Sequence, residues 1–203
     1  MPLQNRVLPT GEIVADPARG LMMGNRGCLH GQGRELGASR WRTNAWICCV
    51  LEWKDVRRHP MPPGRWTALF FLDEATALAA GHRPCGYCRR RDFLGFAEAW
   101  QRAKSLTRRP RAPEMDAVLH RERVSRSRRQ VTRIMDARLL PDGVMIRAAS
   151  GVGLLIGGRL RPWSLTGYGA GMGVSGPVEV LTPPAIIAAI SAGYQPMLHP
   201  TAS

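Results

Sequence analysis

The feature that most constrains this chain is "DEATALAAGHRPCGYCRR", residues 73–90, where two cysteines three positions apart follow a short alanine-rich run that stops at a glycine. Asp73 suits an N-cap, the alanines at 75, 77, 79 and 80 favour helix, and Gly81 stands where a left-handed residue closes a helix. The turn that follows carries Cys85 and Cys88. Two thiols at i and i+3 can point at one ion, which makes half of a zinc site, and Arg83, Arg89, Arg90 and Arg91 nearby favour the thiolate. A redox pair is the competing reading. It is expected at the start of a helix after a central strand, whereas this pair follows a helix and has Pro84 before its first cysteine. Five cysteines, an odd number with Cys48 and Cys49 adjacent, fit metal ligation in a reducing compartment better than a disulfide framework.

Charge narrows the partner. A formal charge of +14 over 203 residues points to a polyanion, with nucleic acid first and DNA ahead of RNA. The arginines expected to meet phosphate are Arg89, Arg90, Arg91, Arg108, Arg109, Arg111, Arg126, Arg128 and Arg129. The competing reading of such a run is a solvated surface. No apolar run reaches eighteen residues, and the first residues have neither a basic start nor an apolar stretch, so a cytoplasmic protein is expected, with no membrane segment.

Patterning predicts an α+β fold in three zones. Residues 1–91 read as a β-rich module held by metal, with strands in "GEIVADP", "GLMMGNRG", "NAWICCVLEW" and "WTALFFL". Residues 92–135 read as a basic helical connector: one helix from Asp92 with Phe93, Phe96, Ala97 and Trp100 on a single face, then another after the prolines, with Met115, Val118 and Leu119 as a thin stripe. Residues 136–203 read as β-hairpins closed by the helix "PAIIAAISA", with "GYGAGMGVSG" as a mobile loop and "HPTAS" as an exposed tail.

Residues 71–90 resemble the zinc-binding domain of the Ada DNA alkylation-repair protein family, in which an alanine-rich helix leads through Ala-Ala-Gly to Arg-Pro-Cys and a second cysteine. The resemblance implies that Cys85 and Cys88 are zinc ligands. The family's other pair of cysteines, its methyl-acceptor motif and a helix-turn-helix are absent from this chain, so direct alkyl repair and transcription activation do not carry over. A second variant of the module has Gly-Asn followed by an aliphatic residue and His. "MGNRGCLHG" is similar to it, which implies His30 as third ligand with Cys28 as competitor. For the fourth, adjacent Cys48 and Cys49 on a strand face opposite sides, so one of them reaches the ion; Cys49 is the choice. A site of Cys49, Cys85, Cys88 and His30 would be closed and structural.

Two other functions stay open. "EMDAVLHRER" sets Asp116 and His120 at i, i+4 on one helix face, a spacing that suits a carboxylate-held base of a nuclease, and the spare cysteine could accept an alkyl group. A charged helix surface explains the same residues. A zinc module that docks protein is the other alternative. Trp41, Trp46 and Trp66 could stack on unpaired bases or fill the core.

Overall fold

A computed structural model describes residues 1–54, 60–125, 127 and 129–203. The α+β expectation holds, and the strands form two sheets. The first contains β1 (Gln4–Val7), β2 (Ile13–Ala15), β3 (Met22–Asn25), β4 (Ile47–Val50), β5 (Leu69–Phe71) and β6 (Arg83–Pro84) in the order β2-β1-β5-β3-β4-β6. The second contains β7 (Arg133–Asp136), β8 (Met145–Ala148), β9 (Gly151–Ile156), β10 (Arg159–Ser164), β11 (Gly167–Tyr168) and β13 (Pro177–Val180) in the order β11-β10-β9-β8-β13-β7. Strand β12 (Met172–Gly173) pairs with β10 and so orders part of the glycine-rich segment expected to be a mobile loop.

Among the described residues four helices accompany them: α1 (Glu74–Ala79), α2 (Arg90–Ala103), α3 (Ala112–Arg123) and α4 (Pro184–Ser191). The apolar stripe of α2 buries Phe96 and Trp100, and α3 adds Met115 and Leu119. These meet Ile186 and Ile190 of α4 and Ile146, Leu155 and Val178 of the second sheet in one core. Residues 92–135, expected as a connector, thus share a core with the C-terminal sheet. They also contain all but the last residue of β7, which pairs over four residues with β13 although its side chains lie at or near the surface, leaving no apolar alternation to betray it.

Helix α1 is buried along its whole length. Leu78 enters the core just described, Ala77 and Ala80 pack with Val7, Met22 and Phe71, and Ala75 and Ala79 pack with Met145, Leu154 and Leu181. A helix touched on every side has room only for small side chains, which accounts for its alanines.

The two acids at its start are buried and fully engaged. Asp73 Oδ1 accepts from the Thr76 backbone N–H (2.9 Å) and hydroxyl (2.8 Å), and Oδ2 accepts from Tyr168 Oη (2.8 Å) and the His199 N–H (3.0 Å). Glu74 accepts from Arg89 through both oxygens (2.8 Å each), from Tyr194 Oη (2.5 Å) and from the Met197 N–H (2.8 Å). The C-terminal tail, expected to be exposed, is therefore docked. His199 starts a 3-10 turn over Pro200–Ala202, Ala202 is buried, and Thr201 Oγ1 accepts from the Tyr168 N–H (2.8 Å).

Replacing Asp73→Ala removes a helix cap and leaves buried donors unpaired, which should cost roughly 3 kcal/mol in urea unfolding. Deleting residues 199–203 should lower Tm as well, while an exposed tail would leave it unchanged.

Candidate metal centre and basic surface

Strand β4 places its adjacent cysteines on opposite faces, as alternation requires. Cys48 is completely buried in the core formed with Val7, Met22 and Phe71, where burial raises its thiol pKa; it is no exposed nucleophile. Cys49 faces the other way. β4 runs parallel to β6, with Cys48 opposite Pro84, and the Cys85 N–H donates to the Cys48 carbonyl (2.9 Å). That bond fixes the CxxC turn beside Cys49. The sulfurs of Cys49, Cys85 and Cys88 lie within 4.8 Å of one another, all three residues are buried, and none is in a disulfide. Tetrahedral thiolates about 2.3 Å from a zinc ion are about 3.8 Å apart, so the triad fits a metal with small adjustment.

Backbone donors line the cluster, and within it the Cys85 thiol is lowered while those of Cys49 and Cys88 are held up. The Tyr87 N–H donates to Cys85 Sγ (3.4 Å), and backbone N–H groups of Cys88 and Val50 serve Cys85 and Cys88. Both kinds of bond stabilise the charged sulfur. Shared hydrogen bonding within the triad drives Cys49 up, chiefly through Cys85, and drives Cys85 down, chiefly through Cys49. A bound cation would take the place of that shared proton. The CxxC also stands directly before α2, whose positive end favours thiolates. Helix-start placement, counted above against a redox pair, is therefore present here; the third thiol is what distinguishes the arrangement. Met23, Ala68, Trp66 and Phe70 wall the cluster, and Trp53 meets Tyr87 edge-on with ring centres 5.9 Å apart.

His30 does not join the triad. Its Nε2 donates to the Pro62 carbonyl (3.1 Å), which leaves Nδ1 to accept from the Thr67 hydroxyl (2.6 Å). Both ring nitrogens are occupied in tying the loop after β3 to the segment before β5. Cys28 Sγ lies near the His30 carbonyl (3.7 Å), also outside the triad.

The arginines divide sharply. Arg89 is buried, with both Nη atoms on Glu74, its Nε on Asp92 (2.8 Å) and Cys48 Sγ at 3.6 Å from Nη1, so it is a brace and cannot reach phosphate. Arg108 pairs with Glu114 and Arg109 with Glu98, both at the surface, where such pairs are weak and exchangeable. Arg90, Arg91, Arg111 and Arg129 are exposed, and among the described residues none has a carboxylate within ion-pair distance. Arg126 and Arg128 lie outside the described residues.

The proposed acid–base pair separates too. Asp116 is buried and accepts a two-pronged bond from Arg83 (Nε and Nη2, 2.8 Å each), which ties α3 to β6. His120 stands against Trp41 and near Arg123, without Asp116 as a partner. Glu122 accepts from the Ala185 N–H (2.8 Å) at the start of α4.

Sequence reasoning missed a large cleft. It has a volume of about 780 Å³ and is lined by Arg26, Arg40, Trp41, Trp46, Arg123 and Arg129 among others. Trp46 is held between two guanidiniums, with Arg26 Cζ 4.1 Å and Arg123 Cζ 3.8 Å from its ring centre. No spacing rule joins residues 26, 46 and 123; only their meeting in space reveals the site.

No protein-family model, curated protein or solved structure matches this chain. Among the described residues no helix is long and apolar enough to cross a membrane.

Glu74→Leu leaves both Nη atoms of buried Arg89 unpaired, with only the half-exposed Asp92 on its Nε, and should cost about 3 kcal/mol of stability. The double variant Glu74→Leu/Arg89→Met should cost less, because no unpaired charge stays buried. Equal losses in chemical unfolding would show that the ion pair itself is not the brace.

Proposed function

We propose that this protein is a zinc protein that binds nucleic acid, DNA in preference to RNA, through surface arginines, with the metal in a structural role. The observation that carries the reading is the meeting of Cys49 with Cys85 and Cys88 from segments far apart in the chain, in a buried, N–H-lined cluster. Thiolate sulfur, small separation and tetrahedral spacing suit zinc. The metal would clamp β4 to the turn that launches α2. Three thiolates would also offset the cost of Arg90 and Arg91 in the first turn of that helix, where positive charge opposes the dipole.

The nucleic-acid part rests on the net charge of +14 and on exposed Arg90, Arg91, Arg111 and Arg129. The resemblance of residues 71–90 to the Ada zinc domain points to DNA, and to its repair or modification. Five free thiols accord with the reducing cytoplasm.

Purified protein should carry one zinc per chain by elemental analysis. Cys49→Ser and Cys85→Ser should lose it, whereas Cys48→Ser, Cys28→Ser and His30→Ala should keep it. X-ray absorption then counts sulfur donors: a site with three sulfurs and one nitrogen or a site with four sulfurs is closed, and an exchangeable water is not. Wild-type protein that folds without metal would end the zinc reading. Binding to a short DNA should weaken with salt at a log–log slope of about −0.9 per phosphate engaged. Arg90→Ala/Arg91→Ala should flatten that slope, and salt-independent binding would contradict the charge-driven mode.

A further inference from the structure

Two buried cations sit at the floor of the large cleft. Arg26 is 2 % exposed; its Nε donates to His82 Nε2 (3.2 Å) and its Nη1 to the Gly11 carbonyl (3.1 Å), and its Nη2 has no partner among the described residues. Arg123 is also 2 % exposed; it donates to the carbonyls of Gly81 (2.8 Å) and Asn44 (2.7 Å) and lies 3.4 Å from His120 Nδ1, and its Nε has no partner among the described residues. Among the described residues no carboxylate lies within ion-pair distance of either.

Buried arginine without an acid is costly, since an unpaired interior charge forfeits its hydration. Burial first, then Arg123 and Arg40, lower the Arg26 guanidinium to about 9; burial lowers Arg123 to about 9 as well. Both therefore stay charged at neutral pH. His82 cannot relieve them, because its Nδ1 donates to the Ala77 carbonyl (3.2 Å) and its Nε2 is already accepting. The fold nevertheless holds both guanidiniums against the Trp46 ring, with the Arg123 stem beside Gly81. At Gly81, where φ is +83°, a Cβ would stand 2.5 Å from Arg123 Cδ. Other structural arginines of this chain, Arg83 and Arg89, have buried carboxylates; these two have a cleft instead.

The walls are basic on balance. Exposed Arg40 and Arg129 face the cleft; its two acids are Glu12, which accepts from the Thr10 hydroxyl (3.1 Å), and Glu179, which pairs with Arg147 (2.7 Å). Trp41, half-buried, adds an aromatic surface beside Trp46, with ring centres 6.0 Å apart. Fixed cations with an open aromatic side chain match a phosphate joined to a planar base, and about 780 Å³ is ample for one such unit.

We propose that this cleft seats one nucleotide unit, its phosphate over the Arg26–Arg123 floor between Arg40 and Arg129 and its base against Trp41. This deepens the nucleic-acid reading and rests on it for the source of the nucleotide, a strand rather than a free mononucleotide. The cleft lies apart from the cysteine triad, so the two sites are independently testable.

The test is calorimetric titration of the full zinc-loaded protein with thymidine 5′-monophosphate, thymidine and a single-stranded oligothymidylate, at fixed ionic strength. Because Arg26 and Arg123 variants can unfold, the wall residues carry the test: Arg40→Ala/Arg129→Ala, Trp41→Ala, and Lys104→Ala, an exposed cation outside the cleft lining, as a control. The expected result is binding of both phosphorylated probes, mutual competition, no binding of thymidine, and a loss of roughly tenfold or more in the wall and Trp41 variants, the equivalent of one charge-assisted hydrogen bond. The control should leave the mononucleotide affinity unchanged. Oligonucleotide binding that ignores Arg40, Arg129 and Trp41 would overturn the cleft and leave the nucleic-acid reading standing. Mononucleotide binding without oligonucleotide binding would keep the cleft and overturn the strand as its source. No binding of either probe would overturn both.

Discussion

The fold hangs on a short helix that has no solvent-facing side. α1 can be buried between two sheets only because its side chains are small and because Asp73 and Glu74, at its start, have every oxygen lone pair they need met by protein donors. Tyr168 from the second sheet, Tyr194 after α4, the backbone at Met197 and His199, and Arg89 before α2 all converge there. Two buried carboxylates would be ruinous unpaired; paired, they determine where the C-terminal segment and the second helix must lie. The helix dipole adds to this, since both acids sit at its positive end.

From that helix the chain runs directly into its chemistry. In "AAGHRPCGYC" each polar residue has a distinct physical task. Gly81 takes a left-handed turn and leaves room for Arg123; His82 orients Arg26. Arg83 holds α3 through Asp116, and Cys85 and Cys88 close on Cys49. One ten-residue stretch therefore joins the floor of the cleft to the metal centre. The two sites share a backbone but use opposite ends of it.

Arginine serves three purposes here, and composition cannot separate them. Arg83 and Arg89 are braces with buried acids, Arg90, Arg91 and Arg111 project into solvent, and Arg26 and Arg123 form a desolvated floor with no carboxylate of the described residues within ion-pair distance. The last class is the informative one, because a protein selected for stability alone gains by pairing or removing such charges.

Local rules sufficed for much of this chain. The N-cap at Asp73, the left-handed Gly81, the apolar stripe of α2, the proline start of α4 and the alternation that separates Cys48 from Cys49 all follow from contacts within a few residues. That is why α1 and the CxxC turn were legible; alternation separates Cys48 from Cys49 but does not say which one faces the CxxC turn. Tertiary structure alone decided the rest. β7 forms because β13 offers it a ladder, the tail docks because Asp73 needs donors, and His30 turns to Thr67 and Pro62 because a hydrogen bond is available there. Arg89 left the surface because Glu74 was buried, and Arg26, Trp46 and Arg123 became one site because three separate elements brought them together. Spacing along a chain records periodicity; it holds no record of which distant charge will stand opposite which.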